Sequence, residues 1–450
     1  MKNLVFILTD QLSRSVLPLY SSCSYGFDNI ARLQSMGTSA LAYHTPSAVC
    51  TPSRGCVLTG LTPFRHGAYR NGLPVGAGII GAGTVLKACG CSASYIGKWH
   101  LGCGRSMGDS LREDNLLGFD FIGPETEMAH AKSVSPDGAE LHAEIRDGLE
   151  YTTDYLCRRA VEHIRSVSSP FALFISFPDP HQPYLAGSPY CSMYSPYKME
   201  VPASFYQKEV PDWAEDDEWG RKHYFPPGMF ERTEYFQAAK AQYLGMVRCI
   251  DAALGRILDS LEDRGLMKDT VVVFTSDHGD YLGLHGLMEK NNLYDDVYSP
   301  PLIIASDGLA GTCTSPVSAE DLMHTVFSLM GLDSQIFPGE DLSRCFTEGL
   351  YRYKDLFIYP SDVPRAGIIT DEYKLCFVGT SYDGKREFRD HILFDRKKDP
   401  DEMDNLFGRP GYEEITARLA GKILDRMQLE NVPERLIPRA LAGYAGRDNG

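Results

Sequence analysis

Leu4-Val5-Phe6-Ile7-Leu8-Thr9-Asp10-Gln11 is a run of five apolar residues followed by a hydroxyl and a carboxylate. A run without polar alternation is what a central strand covered on both faces requires. Its end places Asp10 at the carboxyl edge of the strand, where open α/β sheets hold their ligands. Thr270-Val271-Val272-Val273-Phe274-Thr275-Ser276 repeats the pattern and delivers Asp277-His278-Gly279-Asp280 at its end. Asp277 is the counterpart of Asp10, although either carboxylate taken alone reads equally well as a helix cap.

Further strands extend this frame. Phe171 to Phe177 is covered on both faces and runs into Pro178-Asp179-Pro180-His181-Gln182-Pro183, a proline-stiffened loop that carries a histidine. Ser94-Tyr95-Ile96 enters Gly97-Lys98-Trp99-His100-Leu101-Gly102, and in extended backbone Lys98 and His100 point the same way. Short strands are expected at Ala40 to Tyr43 and Leu302 to Ile304. Helical spacing marks Ile30 to Met36, Thr84 to Ala88, Tyr151 to Arg165, Phe236 to Arg264 and residues 319–330. Beyond about residue 350 the runs become brief (Leu356 to Tyr359, Ala366 to Ile369, Tyr373 to Val378, His391 to Phe394) and a helix follows at Ile415 to Met427. The expectation is an α/β fold: a large, mostly parallel mixed sheet flanked by helices in a catalytic unit, 1–345, and a smaller antiparallel-sheet α+β unit, 346–450. Residues 184–232, rich in Pro, Tyr and Trp and without periodicity, are the candidate for a substrate-selecting wall.

Sixty acidic against 44 basic residues leave a formal charge of -16, which argues against nonspecific nucleic-acid binding. No apolar run of about 18 residues suggests a membrane span, and the opening apolar run is too short for a leader; the expectation is a cytoplasmic protein. Twelve cysteines, from Cys23 to Cys376 and including Cys103, are scattered without a CxxC pair, so reduced thiols are expected rather than a zinc or iron–sulfur site. The sequence leaves open whether the chain forms a homo-oligomer.

Cys50-Thr51-Pro52-Ser53-Arg54-Gly55 carries the candidate nucleophile. With a helix starting at Thr51 or Pro52, Cys50 and Arg54 share a face at its positive end, a place suited to an anionic sulfur or phosphorus ester. The bland alternative is a structural cysteine beside a helix start. Asp10, Asp277 and His278 form a metal-ligand set: the carboxylates suit calcium or magnesium, the imidazole manganese or zinc. Arg54, Lys98, His100, His181 and Lys290 supply cations and proton carriers for a charged ester. No water-activating pair stands apart from Cys50, which points to covalent catalysis there.

The combined pattern resembles the sulfatase family of the alkaline-phosphatase-like superfamily. The resemblance rests on Cys50-Thr51-Pro52-Ser53-Arg54-Gly55 as the C-x-P-x-R element, Gly97-Lys98-Trp99-His100-Leu101-Gly102, and Ser276-Asp277-His278-Gly279-Asp280 with His285-Gly286 and Lys290. Leu393-Phe394-Asp395, Asp399-Pro400, Glu402 and Asn405-Leu406 match the family's C-terminal segment. By this resemblance Cys50 is converted by a maturation enzyme to formylglycine, whose hydrated aldehyde attacks sulfur and later expels sulfate. It also implies one divalent cation, calcium first and magnesium or manganese as alternatives, held by Asp10, Asp277, His278 and matured residue 50. Arg54 would orient formylglycine, Lys98 would hold a sulfate oxygen, and His100 would collapse the intermediate. His181 and Lys290 would contact the ester, one of them assisting the leaving oxygen. Many relatives carry a second acid where this chain has Gln11, here a candidate neutral oxygen ligand, and asparagine where it has His278. The implied substrate is a sulfate ester, by preference that of a sulfated mono- or oligosaccharide, with choline sulfate and aryl sulfates as other candidates. The Asp-Gln and Asp-His pairs also resemble formylglycine-dependent phosphonate monoester or phosphodiester hydrolases, and an inactive sulfate-binding protein is the remaining alternative.

Overall fold

A computed structural model describes residues 1–21, 24–102, 116–122, 130–216, 218–225 and 233–446. Cys23 and Cys103, and part of the 184–232 stretch, lie outside the described residues. The strands are β1 (Asn3–Asp10), β2 (Gly37–His44), β3 (Ser92–Gly97), β4 (Asp120–Phe121), β5 (Ser133–Val134), β6 (Leu141–His142), β7 (Glu150–Tyr151), β8 (Phe171–Pro180), β9 (Thr270–Ser276), β10 (Leu302–Ala305) and β11 (Gly311–Ser318). The C-terminal part adds β12 (Leu356–Ile358), β13 (Arg365–Ile369), β14 (Tyr373–Val378) and β15 (Ile392–Asp395).

Eight strands form one sheet in the order β11-β2-β10-β9-β1-β8-β3-β4. β1 pairs in parallel with β8 and with β9, β8 with β3, and β3 with β4; β10 alone runs against its neighbours. This is the large, mostly parallel mixed sheet expected from the apolar runs. Leu4, Phe6 and Leu8 enter one core with Cys56, Val57 and Leu58, whereas Val5 and Ile7 enter another with Leu244, Val247, Ile250 and Leu254. Burial on both faces explains why β1 carries no alternation. The helix Glu234–Asp263 covers one face with the broad apolar side read from its spacing. β5, β6 and β7 make a small separate sheet.

The antiparallel sheet β12-β13-β14-β15 is the second unit. One face, with Ile369, Cys376 and Phe394, packs on Tyr281, Leu293 and Tyr294 of the large unit. The other, with Ile368, Leu375 and Leu393, packs under Leu419, Ile423 and Met427 of the helix Glu413–Leu429. Between the sheets, Cys345 and Phe346 in the short helix Ser343–Thr347 still belong to the core of the large sheet. Among the described residues no helix is long and apolar enough to cross a membrane.

Candidate active site

Four neighbouring strands, β9, β1, β8 and β3, end at one edge, and each contributes there. Asp10 closes β1, Asp277 and His278 follow β9, His181 follows β8, and Lys98 follows β3. Parallel pairing holds these ends level: Thr9 is opposite Ser276, Asp10 opposite Pro180, and Gly97 opposite Ser176. Gly97 has φ 98°, and a Cβ there would run into the Ser176 carbonyl, so only glycine lets β3 turn toward the site.

Cys50 is the first residue of the helix Cys50–Thr59, whose ten residues are all buried. Asn71 Oδ1 accepts from the Thr51 N–H at 3.1 Å, closing one of the orphan donors at the helix start. Cys50 Sγ lies 3.7 Å from Asp10 Oδ1, 3.3 Å from His278 Nε2, 3.9 Å from Lys98 Nζ and 3.1 Å from Lys290 Nζ. Burial pushes its thiol up, but the charges of Lys290 and Lys98 outweigh burial and hold it well below the ordinary thiol range. This microenvironment favours an anion at position 50.

Asp10, Cys50, Asp277 and His278 are fully buried, and their ligand atoms lie within 4.8 Å of one another. His278 Nδ1 is 2.9 Å from the Gly279 carbonyl and donates to it, which leaves the Nε2 lone pair for a ligand role 3.7 Å from Asp10 Oδ1 and 3.6 Å from Asp277 Oδ1. Asp277 is raised by burial and by the charge of Asp10, while Lys98 and Arg54 overcome burial at Asp10 and hold it well below the usual range. Two buried carboxylates and one imidazole nitrogen facing a common centre fit a divalent cation.

Arg54 is buried and braces the carboxylates rather than facing outward: Nε donates to Asp277 Oδ2 at 2.9 Å, Nη1 to Ser176 Oγ at 2.7 Å and to the Lys98 carbonyl at 3.0 Å, and Nη2 is 3.7 Å from Asp10 Oδ2. Lys98 Nζ donates to Asp10 Oδ2 and, at 2.8 Å, to His130 Nε2. Lys290 Nζ donates to Gln11 Oε1 at 3.0 Å and to His181 Nε2 at 2.9 Å. His181 Nδ1 is 2.8 Å from the Gln182 carbonyl, so Nε2 is the acceptor; burial and Lys290 keep this imidazole neutral, well below its ordinary range. Gln11 has φ 68° and its amide N–H₂ donates to Asp280 Oδ2 at 2.7 Å, which also accepts from Tyr184 Oη at 2.8 Å. His100 accepts at its carbonyl from Thr51 Oγ1 at 2.7 Å, and its buried Nδ1 has no partner.

All the residues named from the sequence, Asp10, Gln11, Cys50, Arg54, Lys98, His100, His181, Asp277, His278 and Lys290, gather at this edge. The path differs at one place: His100 has φ 57°, so Lys98 and His100 reach the site through a turn and not through the extended backbone expected for them. His285 of the same motif lies apart, stacked on Tyr294 at 3.6 Å and bonded to Gln207 Oε1. Two further groups were not anticipated. His130 stacks on His181 with ring centroids 3.6 Å apart and planes 7° from parallel. Lys132 donates to Asp179 Oδ1 at 2.6 Å and to the His181 carbonyl at 2.9 Å, fixing the loop from below.

Comparison with known proteins agrees with this geometry. The sulfatase family model matches residues 2–332. The chain is 26% identical over 462 residues to the uncharacterized sulfatase YidJ of Escherichia coli (strain K12), covering 96% of this chain and 88% of that protein. A protein solved with its substrate, D-glucosamine-2-N,6-O-disulfate, superposes with a TM-score of 0.75 at 20% identity, over 96% of this chain and 99% of the other. The phosphonate monoester hydrolase of Silicibacter pomeroyi superposes with a TM-score of 0.74 at 21% identity, over 96% of both chains. At such identities the superpositions speak for the fold. A buried candidate metal-ligand set beside a helix-start cysteine, on a mostly parallel sheet, is the arrangement of an alkaline-phosphatase-like hydrolase. The chain belongs to the sulfatase family, whose members use a divalent metal and a formylglycine, and its class is that of sulfuric ester hydrolases.

Proposed function

We infer that this chain hydrolyses a sulfate ester of a sugar through a formylglycine made from Cys50. The observation that carries the reading is the position of Cys50: a buried helix-start side chain within 3.9 Å of Asp10, His278, Lys98 and Lys290 together. A thiol has no need of that many cations and metal ligands, whereas a group that attacks an anionic tetrahedral centre does. When present, the cation and the hydrated aldehyde of residue 50 supply charge neutralisation and an oxygen nucleophile.

The chain's own residues account for the rest. Asp10, Asp277 and His278 would hold the cation. Gln11 would add its Oε1 by releasing Lys290 to substrate. His278 Nε2 lies 3.7 and 3.6 Å from the two carboxylates. Neighbouring donors around an ion with 2.3–2.6 Å bonds stand about 3.3–3.7 Å apart, which favours calcium over the smaller magnesium. Arg54 fixes both carboxylates and the face of the helix that presents residue 50. Lys98 and Lys290, whose Nζ atoms are 3.9 and 3.1 Å from Cys50 Sγ, would bind the sulfate oxygens. Lys290 donates to the neutral His181 at 2.9 Å, and one of the two would assist the leaving oxygen. His100, with its unpartnered Nδ1, would take the proton from the second hydroxyl of residue 50.

Phosphonate monoester hydrolysis is the second reading, supported by Gln11 in place of a second acid and by the same single charge on both esters. The test compares an aryl sulfate with an aryl phosphonate monoester, using protein produced with a formylglycine-generating enzyme. Faster sulfate release, abolished by chelation and restored by calcium, is expected. Faster phosphonate cleavage would transfer the assignment to the second reading.

A further inference from the structure

An open cleft is lined by residues that follow Lys290 directly in the chain. Its lining includes Asn291 and Asn292, the two residues after Lys290, whose Nζ is 3.1 Å from Cys50 Sγ. Its walls come from three parts of the chain. Asp216, Glu218 and Trp219 belong to the aperiodic 184–232 stretch, and Asp362, Arg365, Ser381 and Tyr382 belong to loops of the small sheet. Asn292 Nδ2 donates to the Trp219 carbonyl at 2.6 Å and Arg365 donates to the Asn291 carbonyl, which ties both walls to the Lys290 loop.

The charge in this cleft differs from that of the anion site. Asp216 is 3.4 Å from Arg386, and Asp362 is 3.5 Å from Arg70. Lys385, which feels the Glu218 charge, is held by Asp383 at 2.8 Å. Glu218 Oε2 is buried without a hydrogen-bond partner, and so is Arg365 Nε. A buried carboxylate oxygen left unpaired is costly unless a donor arrives to meet it. A hydroxyl can meet both an orphan acceptor and an orphan donor; a second sulfate meets only the donor and is repelled by the carboxylate. Trp219 and Tyr382 add the apolar faces on which a sugar ring rests.

We propose that this cleft receives the alcohol half of the ester as an uncharged pyranose ring and excludes one that carries a further sulfate. The proposal rests on the sugar-sulfatase reading above and narrows it to monosulfated neutral sugars, in contrast to the disulfated substrate of the structural neighbour.

The matured full chain is assayed with an aryl sulfate, with the primary-alcohol sulfates of glucose, galactose and N-acetylglucosamine, with the disulfate of the best of these, and with choline sulfate. The best monosulfate should exceed its disulfate by about tenfold or more in kcat/KM, and Glu218→Gln and Trp219→Ala should each lower the sugar-to-aryl ratio of kcat/KM about tenfold, mainly through KM. Glu218→Lys should reverse the preference toward the disulfate. The proposal is overturned by a disulfate cleaved as fast as the monosulfate, by choline sulfate cleaved faster than every sugar, or by variants that leave the ratio unchanged. It is also overturned, with the sulfatase reading intact, by cleavage of the aryl ester and of none of the sugars. An inert aryl sulfate would bring down the underlying reading and this inference with it.

Discussion

At position 130 an imidazole from an aperiodic stretch enters the reacting centre, where it accepts from Lys98 at 2.8 Å and stacks on His181. Burial and the Lys98 charge bring it down to about 4, so it stays neutral and can accept. It therefore steers two groups that face residue 50 from different strands. His130→Ala should lower kcat by about 10- to 100-fold through misplacement of Lys98 and His181. A variant with the native turnover would show that His130 only fills space. The sequence made Asp10, Asp277 and His278 legible because strand ends are recognisable and parallel strands bring them to one edge. His130 gave no such signal: no periodicity surrounds it, and its partners are 32 and 51 residues away in the chain.

The helix Cys50–Thr59 owes its position to a close approach at Gly55. A Cβ there would collide with the His66 ring, which cannot withdraw because it is bonded to the Pro52 carbonyl at 3.2 Å and to the Ala68 N–H at 3.2 Å. Gly55→Ala should destabilise the fold by about 1–3 kcal/mol, measured by urea unfolding. A change near zero would mean that the helix can slide. Burial pushes His66 down to about 4. Below about pH 6.5 the unfolded chain takes up a proton that the folded chain refuses, so stability falls as pH drops from about 6.5 to about 4, by ~3 kcal/mol from this residue. His66→Gln should flatten that slope; an unaltered slope would contradict the assignment. Helix and strand positions were largely readable from periodicity, but their ends were not. Pro63–His66 is a short helix that no helical spacing marks, and Ala319–Asp321 forms a separate 3₁₀ turn before the helix Leu322–Met330. Caps and tertiary contacts decide such ends.

For the whole molecule, the C-terminal sequence signature proves to be a joint. Lys374 on β14 is fully buried, 2.9 Å from Glu402 and 3.8 Å from Asp295, and Glu402 accepts from the Asp295 N–H at 2.8 Å. Asp295 belongs to the loop that follows Lys290, so the joint fastens the small sheet to the segment carrying a site lysine. Lys374→Met leaves the buried Glu402 carboxylate without its cation, while Asp295 keeps Arg14 at 3.4 Å, and should cost about 3–5 kcal/mol in urea unfolding; a loss below about 1 kcal/mol would show that apolar packing alone holds the units together. The same docking brings loops of the small sheet to the cleft beside Lys290. Apolar runs revealed that a second sheet exists, but not which of its loops would face the site, since that depends on how two folded units meet.

The most direct test of the central claim is the mass of the peptide containing residue 50, taken from protein that releases sulfate from an aryl sulfate and compared with the same peptide from inactive protein made without a maturation enzyme. The account predicts an aldehyde at residue 50 in proportion to activity and an unmodified thiol in the inactive sample. Full activity in protein whose Cys50 is entirely thiol would contradict it.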